Sequence, residues 1–407
     1  MLALGARFSD DPLFGETDRR RRGDEYAKRA RSLLDLTEIS VTTIQACILL
    51  GTISFSDSQM ESEALYYSVA LRLALILDLP QKHCSGRLDR EINLRIWWSL
   101  YMIDIWSSMG LDLSRQLDFV DEYSLPTNEE DFLSITGGQS MTNAACPGLW
   151  SEMAKLTRIW ARIHSFNKES LNRSINNHSL CVTIDNLAIE LREWANGLPA
   201  SLRETPANLD RYKALGLGNA FAALHLGYHY YNEVLFYQFL ARNPTSTRQH
   251  DDIKSRYQAR CEEHALAFCN LLYACRSANS QPNYQCLYVM VGHMLVVTST
   301  VYIHMLLFSP ELEKVELARH RLAKNFEILT QLRTFWATLD VALSRLQAFH
   351  NACRRSIEGS FRMDTWMLKF ILEHGSSVGE RPVAAGSMGD GNGEEPNALN
   401  SWFLRNF

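Results

Sequence analysis

The sequence lacks the closely spaced cysteine pairs that zinc clusters and thioredoxin-like redox sites require. Its nine cysteines contain no C-x-x-C pair, so neither kind of site can be built from them. They lie at positions 47, 84, 146, 181, 261, 269, 275, 286 and 353. We interpret them as reduced core residues of an intracellular protein, and we expect no bound metal and no cofactor.

An excess of positive charge is also missing. The chain has 41 Lys and Arg residues against 46 Asp and Glu residues, which gives a formal net charge of -5. Nonspecific attraction to nucleic acid depends on neutralising many phosphates, so we expect no direct sequence-specific DNA binding by this chain. The one basic run, from Arg19 to Arg22, fits either a nuclear import signal or a solvated loop.

Familiar catalytic motifs are absent as well. The sequence contains no G-x-S-x-G elbow, no phosphate-cradling glycine-rich loop and no H-E-x-x-H motif. Hydrolase, nucleotide-dependent and metalloprotease functions therefore lose their usual support. No segment shows sustained alternation with a period of two either, so no sheet is predicted.

What the sequence has in abundance is apolar residues at helical spacing. Hydrophobic residues make up 46% of the chain, which is enough for a large core. We predict an all-α fold, a large multi-helix array of antiparallel helix pairs. In this prediction residues 1–374 form one helical domain, residues 375–397 a flexible tail rich in Gly, Ser, Pro and acidic residues, and residues 398–407 a short apolar segment.

Particular segments carry further predictions. Ser40 is expected to cap a helix, and residues 209–242 are predicted to form one continuous helix. The polar, glycine-rich stretch 128–148 is predicted to be a surface loop. Residues 287–308 are long enough to span a membrane but contain two histidines, so we interpret them as a buried helix and expect no membrane association.

The central pattern covers residues 66–126, where two amphipathic segments are joined by a polar turn. In the second segment, LDREINLRIWWSLYMIDIWSSMG, apolar residues form a stripe while charged residues crowd the first two turns. Asp104 is an unusual acid in this apolar stripe. Because a buried carboxylate needs a partner, we expect a structural ion pair with Arg72 or Arg95.

These two segments resemble the fungal-specific transcription factor domain, the helical regulatory region that usually follows a six-cysteine binuclear zinc cluster in fungal gene regulators. The segments LALGARFSDDP and LHLGYHYYNEVLFYQF resemble the same family. The family's usual Gly-Arg-Pro after the second helix reads Gly110-Leu111-Asp112 here. The likeness in the central pattern rests on Ala70, Arg72, Leu73, Ala74, Leu79, Glu91, Arg95, Trp97, Trp98, Leu100, Asp104, Gly110, Leu125 and Pro126.

The resemblance also bears on the beginning of the chain. The first residues, MLALGAR, look like the middle of a helix that further helices and the zinc cluster precede in members of the family. We therefore expect either that upstream coding sequence is missing or that the protein has lost its DNA-binding half.

Candidate site residues cluster in the segment LHLGYHYYNEV. His225, His229 and Glu233 follow one another at intervals of four, which is compatible with a metal site but more typical of a helical core. The aromatic residues of this segment can line a small-molecule pocket or pack in the core. Trp97 and Trp98 are adjacent, so one is expected to face the core and the other a neighbouring helix or a pocket. The pocket candidates are Trp97, Trp98, His225, Tyr228, His229 and Tyr231.

Two functions from different classes stay open. The resemblance implies a regulator of a fungal gene set, most naturally one for secondary metabolism, that lies in the nucleus and works without a zinc cluster of its own. It would act through a small-molecule effector, a partner regulator or a homodimer. The alternative is a cytoplasmic, cofactor-independent hetero-Diels–Alderase that couples a polyketide-derived quinone methide to a terpene, since some relatives without the zinc cluster are implicated in such chemistry. His229 or Tyr231 would then donate a hydrogen bond to the heterodiene.

Overall fold

Helix is the regular secondary structure of the part of the chain that the structure describes. The computed structural model describes residues 1–118, 122–135, 147–172, 177–241, 248–276 and 286–382. No strand occurs within these ranges, so the predicted all-α fold without a sheet is confirmed for them. Short 3-10 helices cover Ala6–Phe8, Pro12–Phe14, Arg19–Arg21, Ala200–Leu202 and Tyr237–Leu240. The α-helices are α1 Leu2–Gly5, α2 Asp24–Leu33, α3 Val41–Ser56, α4 Met60–Ile76, α5 Arg87–Leu111, α6 Glu129–Ser134, α7 Leu149–Asn172, α8 Asn177–Gly197, α9 Pro206–Ala214, α10 Gly218–Phe236, α11 Arg248–Cys275, α12 Met290–Phe308, α13 Leu312–Arg333, α14 Thr338–Arg355, α15 Ile357–Ser360 and α16 Thr365–Leu372.

Consecutive helices pack as pairs, as the sequence predicts. Only residues 57–59 join α3 to α4, and only residues 309–311 join α12 to α13, so the members of each pair run in opposite directions. α10 and α11 form a third closely packed pair. The predicted cap at Ser40 is confirmed, because the Thr43 amide donates to Ser40 Oγ over 3.1 Å at the beginning of α3.

The continuous helix predicted over residues 209–242 is wrong, because a turn divides it into α9 and α10. Gly216 lies in this turn with a φ of +73°, in the left-handed region that residues with a side chain rarely adopt. The Leu217 amide donates to the Tyr212 carbonyl over 2.8 Å, which ends α9. α10 therefore begins as a new helix at Gly218.

Part of the surface loop predicted over residues 128–148 is also helical. α6 begins where Asn128 Oδ1 accepts a hydrogen bond of 2.8 Å from the amide of the third residue that follows. The carboxylate of Glu129 accepts the first amides of α7, from Leu149 and Trp150, at 2.8 and 3.1 Å. One short helix thereby caps the next. Residues 136–146 lie outside the described ranges.

α12 runs through the core. Val291–Phe308 is long and apolar enough to cross a membrane by length and composition, with a mean hydropathy of 1.6, and 83% of it is buried inside the protein. Its hydroxyl groups bond internally: Thr298 donates to Glu233 over 2.8 Å, and Thr300 and Tyr237 share a hydrogen bond of 2.6 Å. The helix occupies the buried position that the sequence predicts.

The run from Arg19 to Arg22 is tied to the body of the protein. The Arg19 guanidinium lies over the Phe335 ring, 5.4 Å from its centroid. Arg20 pairs with Asp340 at 2.9 Å. These contacts fix the N-terminal segment at the junction of α13 and α14. The role of the arginine run in nuclear import stays a prediction.

The first residues of the predicted flexible tail are described by the structure. Residues 375–382 lie against the helices; for example, the Trp366 indole donates to the Gly379 carbonyl over 2.8 Å. The predicted division of the chain at residue 374 stays a prediction. The remainder of the predicted tail, residues 383–397, and the apolar segment 398–407 lie outside the described ranges.

Candidate functional site

A cavity of about 480 Å³ lies between the helices. Small-molecule sites in proteins usually measure about 300 to 1,000 Å³ and are mostly apolar, so the cavity has the size of a ligand site. Its walls come from α3, α4, α5, α7 and α10, from the beginning of α12 and from His374. The lining residues include Ile48, Thr52, Phe55, Glu63, Tyr67, Ser99, Met102, Ile103, Trp106, Ser107, Trp150, Met153, Leu156, Thr157, Asn219, Ala220, Ala223, Leu224, Gly227, Tyr231, Val289, Met290, Met294 and His374.

Stacked aromatic rings form one side of the cavity. Trp160 is fully buried and stacks on Tyr231 with ring centroids 4.6 Å apart and on Trp106 with centroids 5.4 Å apart. Burial raises the pKa of the Tyr231 hydroxyl, which is hydrogen-bonded to Thr157. Because each ring is held by its neighbours, the cavity offers a rigid aromatic surface to a ligand.

Two polar side chains in the lining keep an unused hydrogen-bonding atom. Glu63 is 3% exposed, and its Oε2 has no partner while the carboxyl group bonds to Ser107. His374 is 6% exposed, and its Nδ1 has no partner. Burial raises the pKa of Glu63 to about 7 and lowers the pKa of His374 to about 3. Buried polar atoms without partners are rare, so these two mark the polar part of an apolar site.

Charge in the cavity is limited to one sign. None of the described lining residues is Lys or Arg, and Glu63 is the carboxylic acid among them. The other polar atoms largely bond among themselves: the Trp150 indole donates to Ser99 over 2.8 Å, and Thr52 and Tyr67 share a hydrogen bond of 3.2 Å. The cavity therefore offers nothing that would neutralise an acidic ligand.

Of the predicted pocket residues, Tyr231 lines the cavity and the other candidates on α10 do not. His229 Nε2 lies 2.8 Å from Glu204, and its Nδ1 lies 3.0 Å from Nδ1 of His264. His225 Nε2 lies 2.9 Å from the Leu202 carbonyl oxygen. These histidines belong to the opposite face of the helix, so of the two donors that the enzyme hypothesis names, His229 and Tyr231, Tyr231 alone lines the cavity.

This histidine face is a separate, partly buried network. The ring of Tyr228 packs near Trp194 with centroids 5.5 Å apart. Burial lowers the pKa of His225 to about 4 and that of His264 to about 3. Burial opposes ionisation of Glu204, but the hydrogen bond to His229 and the electrostatic attraction to His229 and His225 together outweigh it and lower the pKa of Glu204. The network links α10 to α11 and to the segment before α9.

No metal site is found in the part of the chain that the structure describes, where no group of three or more His, Cys, Asp or Glu side chains could hold an ion. Glu233, the acid on the same predicted face as His225 and His229, is fully buried and accepts its hydrogen bond from Thr298. Burial raises the pKa of Glu233 to about 8. It therefore has the character of a core residue.

Trp97 and Trp98 both lie in the core and outside the cavity lining. Trp97 packs edge-on against Tyr123 with ring centroids 5.5 Å apart. The Trp98 indole donates to the Ser124 carbonyl over 2.9 Å. Their assignment as pocket residues is wrong, because both rings hold the segment that follows α5.

The predicted ion pair of Asp104 with Arg72 or Arg95 is also wrong. Asp104 accepts backbone amides from Gln116 and Leu117 at 2.9 to 3.1 Å. Burial raises the pKa of Asp104, and these amide hydrogen bonds oppose the rise. Arg95 instead lies 3.5 Å from Glu129. Asp104 thus holds the chain that leaves α5 through backbone groups.

Sequence reasoning missed the residues that give the cavity its character. Trp106 continues the series Ser99, Met102, Ile103 at helical spacing, so this second face of α5 carried a signal that could have been found. Glu63 was visible as an acid in an apolar helix. His374 lies beyond the last helix, where no periodicity predicts a position.

The fold and the cavity together define a large all-helical domain with a ligand-sized apolar site. Residues 1–196 match the family model described as the fungal specific transcription factor domain. The resemblance to this family is therefore confirmed over residues 1–196, just under half of the chain.

The relatives are fungal transcriptional regulators. A transcriptional regulatory protein of Schizosaccharomyces pombe is 24% identical over 63% of this chain and 29% of its own length. The activator of stress genes 1 of Saccharomyces cerevisiae is 24% identical over 60% of this chain and 26% of its own length. The Zn(2)-C6 fungal-type transcription factor FTF1a of Fusarium oxysporum is 22% identical over 83% of this chain and 34% of its own length.

The chain thus spans about a third or less of the length of these relatives. No solved structure matches it significantly. The chain is similar to fungal transcriptional regulators, and the comparisons give the coupling-enzyme alternative no support.

Proposed function

We propose that this chain is the effector-binding part of a fungal transcriptional regulator, and that the cavity is its effector site. The observation that carries the proposal is an apolar cavity of about 480 Å³ inside a chain similar to fungal transcriptional regulators. A ligand that binds only the folded protein stabilises it, and one that prefers one conformation shifts the population toward that conformation. Binding in a cavity lined by six helices can therefore shift the population of conformations and so change how the domain binds its partners.

The finer parts of the proposal concern genes and location. We propose that the regulated genes belong to secondary metabolism, because an apolar cavity suits the apolar products that such genes make. We also propose that the chain works in the nucleus, that it binds a partner regulator or a second copy of itself, and that a partner regulator supplies the contact with DNA. Its net charge of -5 and the absence of a C-x-x-C pair from the sequence support an indirect contact.

A reporter assay tests the effector site. The chain is joined to an unrelated bacterial DNA-binding domain in fungal cells, and reporter output is measured with and without an organic-solvent extract of fungal culture. Ala223→Phe places a ring in the cavity, and Ala214→Phe places the same ring on an exposed part of α9. We expect Ala223→Phe to abolish the response to the extract and Ala214→Phe to retain it. An equal response of both variants would contradict the proposal.

A further inference from the structure

We propose that the cavity takes an uncharged apolar molecule that carries a hydroxyl group, and that this hydroxyl binds between Glu63 and His374. This inference rests on the proposed function, since it names the chemistry of the molecule that the cavity is proposed to hold. It depends on where these two side chains lie, on their atoms that have no hydrogen-bond partner and on the charge that they bring to the cavity.

The two side chains lie at the same end of the cavity. Glu63 bonds to Ser107 of α5, whereas Nε2 of His374 lies 2.7 Å from the position that a Cβ at Gly110 would occupy. Ser107 and Gly110 are three residues apart on α5, which corresponds to a rise of about 4.5 Å. A single small polar group is therefore within reach of both side chains.

Contacts with α4 also place His374 near Glu63. The Cε atom of Met60 lies 2.7 Å from the position that a Cβ at Gly375 would occupy, so the residue after His374 abuts α4. Glu63 follows Met60 by three residues, one turn along the same helix. Contacts with both α4 and α5 thus place Glu63 and His374 about one helical turn from each other.

The free atoms suit a hydroxyl group. His374 is buried and neutral, and the Leu372 carbonyl is the backbone hydrogen-bond partner of its ring. With Nδ1 unpaired, the ring donates from Nε2 and leaves Nδ1 as an acceptor. The unpaired Oε2 of Glu63 can donate when the acid is protonated and accept when it is ionised. A hydroxyl can donate to His374 Nδ1 and accept from the protonated Glu63 at once, so it satisfies both atoms while Glu63 keeps its proton.

The charge of the site excludes an acidic ligand. A carboxylate would enter an apolar cavity beside Glu63, and no Lys or Arg is found among the described lining residues. A ligand without a donor, such as an ether, would leave His374 Nδ1 unpaired and buried. An uncharged alcohol or phenol meets neither obstacle.

Four probes with one apolar chain and different head groups test the inference: lauryl alcohol, its methyl ether, lauric acid and laurylamine. Each is titrated into the full chain at pH 6, where Glu63 keeps its proton, and below its micelle concentration; binding is followed by tryptophan fluorescence, since Trp106 and Trp150 line the cavity. We expect the alcohol to bind on the order of tenfold more tightly than the ether, and more tightly than the acid or the amine.

Substitutions of Glu63 and His374 test whether these two side chains cause the preference for the alcohol over the ether. Glu63→Leu and His374→Phe each remove one unpaired polar atom and one hydrogen bond, to Ser107 and to the Leu372 carbonyl respectively, and replace the polar side chain with an apolar one of similar size. Urea unfolding checks that each variant is folded before binding is measured. Each should bind the ether as the parent does and lose the tenfold preference for the alcohol. Tyr67→Phe is the matched control, because it removes a lining hydroxyl that is already paired with Thr52. It should keep the preference.

The outcomes separate this inference from the proposed function. Equal binding of alcohol and ether, or tightest binding of the acid or the amine, would overturn the inference and leave the effector site standing. A preference for the alcohol that persists in both Glu63→Leu and His374→Phe would overturn it as well. Failure of all four probes to bind would overturn the inference together with the proposed effector site.

Discussion

Replacing Glu63 with Gln should make the stability of the protein depend differently on pH. An unfolded Glu ionises near pH 4.5, whereas burial raises the pKa of Glu63 in the folded protein to about 7. As the pH rises from 4.5 to 7, the unfolded chain releases this proton and the folded protein retains it, so stability is lost across this window. Above pH 7 both states are ionised and the loss is complete.

The size of the effect follows from these two pKa values. At about 1.36 kcal/mol per pH unit, the full loss is about 3 kcal/mol, of which about 2.5 kcal/mol falls between pH 5 and pH 8. Gln cannot ionise, so Glu63→Gln should gain about that much stability over the parent chain on going from pH 5 to pH 8. Urea unfolding followed by tryptophan fluorescence at both pH values measures the difference.

A matched variant controls for the change of residue. Glu61→Gln makes the same substitution at an exposed position of α4, two residues from Glu63. It should follow the parent chain at both pH values. If the stability difference between Glu63→Gln and the parent chain is the same at pH 5 and pH 8, Glu63 is not the buried, proton-retaining acid described above, and the reasoning fails.

Three other predictions concern the fold and DNA. Trp98→Ala removes a buried ring and its hydrogen bond to Ser124, and should cost about 3 to 5 kcal/mol in urea unfolding; an unchanged midpoint would contradict its central position. Gly110→Ala puts a Cβ 2.7 Å from Nε2 of His374, so it should destabilise the protein by about 1 to 3 kcal/mol, visible as a lower melting temperature. A melt like that of the parent chain would show that His374 moves freely. The chain alone should not shift any duplex operator at physiological salt in a gel assay, and a specific shift would refute the argument from its acidic charge.

The helical fold was predictable because its determinants are local. Apolar residues at intervals of three and four and a cap such as Ser40 act within one segment, and the structure has helices where they predict them. The break between α9 and α10 was missed because a single left-handed Gly216 produces it within an otherwise helical pattern. α6 was missed because a helix of six residues has too few turns to show a period.

The site was only partly predictable because it depends on which face of a helix meets which neighbour. α10 carries apolar or aromatic residues on both of its faces, so periodicity could not separate Tyr231, in the cavity, from His229, in the histidine network. For Asp104 the sequence indicated that a partner was needed. Its partners are backbone amides, which a search for opposite charges cannot find.

The composition of the cavity walls has a consequence for how such proteins diverge. Glu63, Trp106 and the other lining residues of α3, α4, α5 and α7 lie within residues 1–196, the part that the family model recognises, whereas α10, α12 and His374 lie beyond it. The cavity therefore has one wall inside the part that the family model matches and one wall outside it. Under the proposed function, substitutions in the second wall change which ligand binds and leave the matched part intact, so two regulators alike over their first half can respond to different molecules.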